Sequence, residues 1–368
     1  MKILLLSVTA GQGHHQTAKA VSEYFKKNGH EAITLDCYEY LSPFIKDAIS
    51  KGYLVSTKYT PKLWGKFYEL IESKDEHGLF VKGANQLMSK ALTKYIDECE
   101  PDVVVCTHVL ACMLLTYVKK SRPSLLTIGI LTDFRLHPYF ELTELDYYVV
   151  PNEYVKFSAF KKGLPKDKIL PLGIPIMDKF MNKSDKHEKR AELGFEDEKT
   201  ILIMGGSMGF GNMVKTLKNV DSLELDFQMI VVCGNNEKLY NRIKKKNFKH
   251  KIYPFGFVSN VDELMDASDC IITKPGGLTS SEALAKDLPM ILSKPIPGQE
   301  DRNTEFLLNF GCAMKISKTL TAEELVYHFF QDSKRQQAML DNISLIKKPF
   351  AVKDLYNFIS DKINKGEQ

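Results

Sequence analysis

A chain of 368 residues is longer than one hydrophobic core usually organises, so two domains are expected. At 44% hydrophobic and 26% charged residues the composition is that of a soluble globular protein, and a net charge of +4 is too small for this length to point to nucleic acid. Seven cysteines (37, 99, 106, 112, 233, 270 and 312) include no C-x-x-C pair and lie in or beside apolar runs, which suits buried thiols in a reducing cytosol rather than disulfides or a zinc site.

The first element, "KILLLSV", is a continuous apolar run that predicts a buried strand, and "HQTAKAVSEYFKKNG" predicts an amphipathic helix ending at Gly29. The opening apolar run is too short to cross a membrane and lacks the cleavage region of a signal peptide, so no targeting segment is expected. Between strand and helix stands "TAGQGHH" (9–15), where glycines let a ligand approach the backbone at a helix start. A dinucleotide fingerprint would need a third glycine where Gln16 stands, with Asp36 as its ribose acid. His14 is a candidate base there, with a surface or capping histidine as the plainer reading.

"EAITLDC" is a second strand. Residues 42–95 then form a long, mainly helical insertion that holds the single Trp64 with Tyr59, Phe67, Lys58, Lys62 and Lys66. Lysines interleaved with aromatics suit an anionic membrane surface, and they equally suit packed helices with a solvated face. "PDVVVCTH", "LLTIGILTD" and "DYYVVPN" continue the strand series, which implies βαβ units and a parallel sheet. The segment 170–180, with its prolines and glycine, is a connection.

The design restarts at "KTILIMGGSMGFGN": apolar strand, glycine turn, helix. Gly206 and Ser207 lie in that turn, which lacks the Gly-Lys-Ser/Thr ending of a P-loop. Strands follow at "FQMIVVCGNN", "KIYPFGFV", "ASDCIITKPGG" and "PMILSKP", with helices at 260–267 and 279–287 and a helical region over about 321–365. In "TKPGGLTSSEALAK" the free N–H groups of a helix start, with Thr279 and Ser280, would receive a diphosphate. Glu282 is either the partner of Thr279 in a capping box or an acceptor for the two hydroxyls of a ribose. Phe257 and Val258 offer backbone to a base, and Gln299, Glu300 and Asn303 offer side chains to a polyhydroxylated group. Base, ribose, diphosphate and hexose met by successive strand ends describe a nucleotide-sugar.

The blocks "TAGQGHHQTAKA", "TDFRLHPYF", "VPNEYVKF", "GIPIMDKF", "GGSMGFGN", "GFVSNVDELM", "TKPGGLTSSEALAKDLPMI" and "PGQEDRN" together resemble the GT-B glycosyltransferases that include monogalactosyldiacylglycerol synthases and processive diacylglycerol β-glucosyltransferases. The lipid II N-acetylglucosaminyltransferase is a more distant likeness. The resemblance implies an α/β GT-B architecture of two Rossmann-like doubly wound domains facing across a cleft. It places an acceptor- and membrane-facing domain over 1–172, a UDP-sugar domain over 173–345, and a helix over 346–368 returning to the first domain. It also implies Glu282 at the ribose, Gly277, Leu278, Thr279, Ser280, Gly206 and Ser207 at the diphosphate, Phe257 and Val258 at the uracil, and Gln299, Glu300 and Asn303 at the hexose. Gly13, His14 and His137 would face the acceptor, with His14 as base and Asp133 as second candidate or as the group orienting the imidazole.

The activity so implied is an inverting transfer of a hexose, glucose before galactose, from a UDP-sugar to diacylglycerol, with further sugars added to the product. A polyprenyl-linked acceptor and a UDP-sugar 2-epimerase are the competing readings. No D-x-D motif stands at a strand end, so neither a cofactor nor an obligatory metal is expected. The enzyme would sit peripherally on the cytoplasmic face of the membrane, where the resemblance favours 42–72 as a lipid contact.

Overall fold

The computed structural model describes residues 1–8, 12–41, 78–206 and 213–366. Tyr59, Trp64, Phe67, Lys58, Lys62 and Lys66 of the insertion, and Ser207 of the second glycine turn, lie outside the described residues. The chain divides into two compact units, 1–178 with 296–299 and 350–368, and 179–295 with 300–349. The boundary thus falls after Asp178, a few residues beyond the sequence expectation of 172.

The first unit holds six parallel strands: β1 (Lys2–Ser7), β2 (Glu31–Asp36), β3 (Val103–Cys106), β4 (Leu126–Ile130), β5 (Tyr147–Val149) and β6 (Ile169–Leu170), in the order β2-β1-β3-β4-β5-β6. Runs of Leu, Ile and Val form these strands because helices cover both faces of the sheet; Ile3, Leu4, Leu5, Leu6, Val103, Val104 and Val105 are fully buried. The helix Gln12–Lys27 ends before Gly29, whose φ of +81° reverses the chain into β2. Only the last part of the insertion is described, as the helix Gly78–Cys99.

The helix Ala351–Gly366 belongs to this unit, because its aromatic residues pack on the first helix. The Tyr356 ring lies 5.1 Å from that of Phe25 and 5.6 Å from that of Tyr24, and its hydroxyl meets His30 Nε2 at 3.1 Å. Phe358 meets Tyr147 edge-on at 4.8 Å.

The second unit repeats the plan with β7 (Thr200–Met204), β8 (Gln228–Val232), β9 (Ile252–Phe255), β10 (Cys270–Thr273), β11 (Met290–Leu292) and β12 (Ala313–Lys315), ordered β12-β11-β10-β7-β8-β9 and parallel throughout. A buried guanidinium ties its leading segment down. Arg190 donates to Ala267 O at 2.9 Å and to Asp269 at 2.7 Å, and Asp269 also accepts from the backbone of Thr200. Fully buried Lys286 is matched by Asp266 at 2.7 Å, so neither charge is left alone.

In each sheet the first strand has later strands on both sides, so the order reverses beside it. That switch point lies between β1 and β3 in one unit and between β7 and β10 in the other. Ligands of doubly wound sheets bind outside the carboxyl ends of the strands at such points.

Candidate functional site

At the first switch point the residues following β1 and β3 touch. His14, in the first turn of the helix Gln12–Lys27, places Nδ1 2.8 Å from the carbonyl of Thr107 and 2.9 Å from Thr132 Oγ1. A carbonyl only accepts, so Nδ1 carries the hydrogen, Thr132 Oγ1 accepts from it too, and Nε2 is left with its lone pair. Thr107 is itself fixed by its hydroxyl, which donates to Ser7 across the two strands at 3.2 Å.

The His108 ring stands edge-on to His14 at 4.4 Å, and its Nδ1 accepts from Leu110 N as the cap of the helix Val109–Ser121. His137 caps the short 3₁₀ turn Pro138–Leu142 in the same way. Burial pushes His14 down to about 4, against the opposing pull of the Thr107 carbonyl, and holds His108 well below the usual histidine range. His14 is therefore a neutral imidazole at pH 7, with Nε2 as the basic atom. His15 Nε2 lies 3.3 Å from Asp36, the carboxylate that a dinucleotide site would have kept for a ribose.

The orienting part considered for Asp133 falls on a neutral pair, the Thr107 carbonyl and the Thr132 hydroxyl. Asp133 itself accepts from Gln299 Nε2 at 2.5 Å, within the first unit. Gly13 sits in the same helix start, partly exposed.

In the second unit, Gly206 follows β7 with φ +72°, a conformation that suits glycine, and the site of a Cβ there is 4.0 Å from the Lys274 side chain. After β10 the helix Gly277–Ala285 begins with Gly276 as its N-cap and no side-chain cap. The N–H of Ser280 closes the first turn onto Gly276 O at 3.0 Å, so the N–H groups of Gly277, Leu278 and Thr279 have no acceptor inside the helix. Ser280 is fully buried and its Oγ has no hydrogen-bond partner; Thr279 is partly exposed.

The helix starts two residues earlier than its expected bound of 279, and this removes the capping-box reading of Glu282. Thr279 already lies inside the helix, so Glu282 caps nothing; a capping box does form elsewhere, at Thr321 and Glu324. Burial pushes the Glu282 carboxyl up to about 8. Lys179 opposes the shift and Asp262 adds to it, while those two pair at 2.7 Å.

Glu300 and Asn303 lie on the first turns of the helix Gln299–Asn309. Both hold the turn that precedes the helix Gly277–Ala285. Glu300 pairs with Lys274 at 3.0 Å, and fully buried Asn303 donates to Pro275 O at 3.0 Å. Asn303 thus ties its own helix to the turn that precedes the helix Gly277–Ala285. Phe257 follows β9 and is 67% exposed, and Val258 beside it is partly exposed. Thr107, His108, Thr132, Lys179 and Lys274 were not singled out from sequence; for all but Lys179 the available signal was their place next to strand ends.

The model of the monogalactosyldiacylglycerol (MGDG) synthase family matches residues 14–176, and that of the glycosyltransferase family 28 C-terminal domain matches residues 200–355. A processive diacylglycerol beta-glucosyltransferase of Bacillus pumilus is 31% identical over 93% of this chain and 90% of its own. A protein of the same name from Bacillus cereus is 32% identical over 96% and 90%. Among solved structures, MurG of Acinetobacter baumannii has a TM-score of 0.66 at 14% identity, covering 98% of this chain and 99% of its own. The UDP-GlcNAc 2-epimerase of Neisseria meningitidis, bound to UDP-GlcNAc, has a TM-score of 0.60 at 16% identity, covering 98% and 100%, so these two structures speak for the fold alone. With two matched sheets, both family models and relatives above 30% identity over nearly its whole length, the chain belongs to the processive diacylglycerol beta-glucosyltransferase family of GT-B glycosyltransferases.

Proposed function

We propose that the protein transfers glucose from UDP-glucose to the hydroxyl of diacylglycerol with inversion at C1, and adds further glucose to its own product. The observation that carries this reading is the His14 tautomer. A neutral imidazole with Nε2 free of its own hydrogen is held at the carboxyl edge of a doubly wound sheet by Thr107 and Thr132. The acceptor hydroxyl loses its proton to Nε2 as its oxygen forms the bond to C1; the C1–oxygen bond of the donor breaks and UDP departs. Negative charge developing on the leaving diphosphate is met by the open N–H groups of Gly277, Leu278 and Thr279 and by the dipole of their helix. Glu282 accepts from the ribose hydroxyls, and the backbone at Phe257 and Val258 meets the uracil.

With the helix start in that role, the reaction needs no divalent cation at the nucleotide. The enzyme works peripherally at the membrane, since the acyl chains of its acceptor stay in the bilayer; among the described residues no helix is long and apolar enough to cross one. The test is incubation with UDP-glucose or UDP-galactose and diacylglycerol in mixed vesicles containing EDTA, with products resolved by chromatography. A glucosylated diacylglycerol from UDP-glucose is expected. No glycolipid from either donor, with or without added magnesium, overturns the assignment.

A further inference from the structure

The helix Glu153–Lys161 buries Val155 and Ala159 against the sheet of the first unit. At about 100° per residue, Phe157 points about 180° away from that stripe, where a surface helix ordinarily carries charge. Phe157 is 64% exposed, Phe160 and Tyr154 flank it with 47% and 49%, and Leu142 on the neighbouring 3₁₀ turn is 50% exposed. The turn and the helix are joined by the pair of Glu141 and Lys162 at 3.8 Å. Residues 153–168 carry five lysines, at 156, 161, 162, 166 and 168, against two carboxylates, Glu153 and Asp167. Lys161 lies over the Phe157 ring at 5.8 Å. Aromatic rings ringed by lysine are what an anionic bilayer interface accommodates, the rings at the level of the acyl boundary and the ammonium groups among phosphates.

The position of the patch supports the same occupant. The helix begins just beyond the carboxyl end of β5, on the edge of the sheet that carries His14, and the turn Pro138–Leu142 starts from His137, which bears electrostatically on His108. Five residues of 3₁₀ helix span about 10 Å, so apolar Leu142 stands roughly one glycerolipid headgroup along the turn from His137.

We infer that the face formed by Leu142, Tyr154, Phe157 and Phe160 with Lys156, Lys161 and Lys162 is a membrane-docking surface, which seats an anionic phospholipid bilayer beside the acceptor-binding histidines. The inference rests on the lipid-acceptor reading for its purpose, but vesicle binding is measured without turnover, so the two fail separately.

Co-sedimentation of the full chain with phosphatidylglycerol/phosphatidylcholine vesicles, without UDP-sugar, provides the test. In the double variant Phe157→Ser/Phe160→Ser the partition coefficient is expected to fall about tenfold or more while UDP affinity is unchanged. A triple Lys156→Gln/Lys161→Gln/Lys162→Gln variant is expected to lose a similar factor on anionic vesicles and to show a weaker salt dependence than the parent. As a direct reporter, Phe157→Trp in a Trp64→Phe background should blue-shift on vesicle binding and be quenched by brominated acyl chains. Partition within twofold of the parent in both multiple variants, or indole fluorescence of the Phe157→Trp reporter that brominated lipid does not quench, overturns the proposal.

Discussion

Replacing Glu282 by glutamine separates a ribose ligand from a structural residue, because the two roles predict opposite signs for stability. Desolvation pushes the half-buried carboxyl up to about 8 from its ordinary 4.5, so its ionisation is resisted by the fold. A folded value raised above the unfolded one means that stability is fully present below about pH 4.5, falls as pH rises through the window up to about 8, and is level beyond. At pH 7 the penalty is at most about 3.4 kcal/mol, from about 1.36 kcal/mol per pH unit over the 2.5 units above 4.5; residual solvent contact reduces it. Glu282→Gln removes the penalty. Thermal unfolding followed by circular dichroism should show a Tm raised by several degrees at pH 8 and little changed at pH 4.5, at about 2–4 °C per kcal/mol for a unit of this size.

The same substitution should weaken UDP binding about tenfold by calorimetry, since the carboxylate no longer accepts from ribose. If the ionised form binds, the parent's affinity should improve about fivefold between pH 7 and pH 8 as the binding-competent fraction rises, and the variant should lose that dependence. A Tm lowered equally at every pH, by about the 1 kcal/mol of a lost cap, together with unchanged UDP affinity, would refute the reasoning.

His14→Ala should abolish turnover and leave UDP affinity intact, and in the parent the acid limb of kcat should lie near pH 4, not 6.5, because the folded imidazole resists protonation down to that value. Thr132→Val, which deletes the hydroxyl beside Nδ1, should lower kcat about tenfold at constant KM for UDP-glucose, with Thr132→Ser restoring most of it. Asn303→Ala leaves the Pro275 carbonyl unsatisfied in a buried place and should cost about 1–3 kcal/mol in urea unfolding, with UDP binding weakened several-fold as the turn loosens.

The longest strands were legible because Leu, Ile and Val runs such as "KILLLS" and "TILIM" cannot be placed anywhere but under two layers of helix. The short edge strands Ile169–Leu170 and Ala313–Lys315 escaped notice, being two and three residues long and half polar or interrupted. In the donor half, the sequence marked the glycine turn and Glu282 but could not separate Asn303, sealed beneath Pro275, from Glu300 one turn earlier on the same helix. Burial depends on which face of that helix meets the turn, and seven polar residues in a row do not say. The imidazole's partner was invisible for another reason. It is a backbone carbonyl, at Thr107, and a carbonyl has no letter in a sequence. Likewise the upward shift at Glu282 depends on its burial beside Lys179 and Asp262, far from it along the chain.

The packing of Tyr356 on Phe25 and Tyr24 has a consequence for biosynthesis. The first unit cannot complete its outer layer until the helix Ala351–Gly366 has been made, and roughly 170 residues of the second unit are translated in between. At about 5–20 residues per second, the nascent first unit waits roughly 10–30 s with Phe25 and its neighbours uncovered. The second unit, almost continuous in the chain, can fold during that interval. A chain truncated after residue 349 and released from the ribosome should therefore present a folded second unit beside an amino-terminal unit that chaperones still recognise.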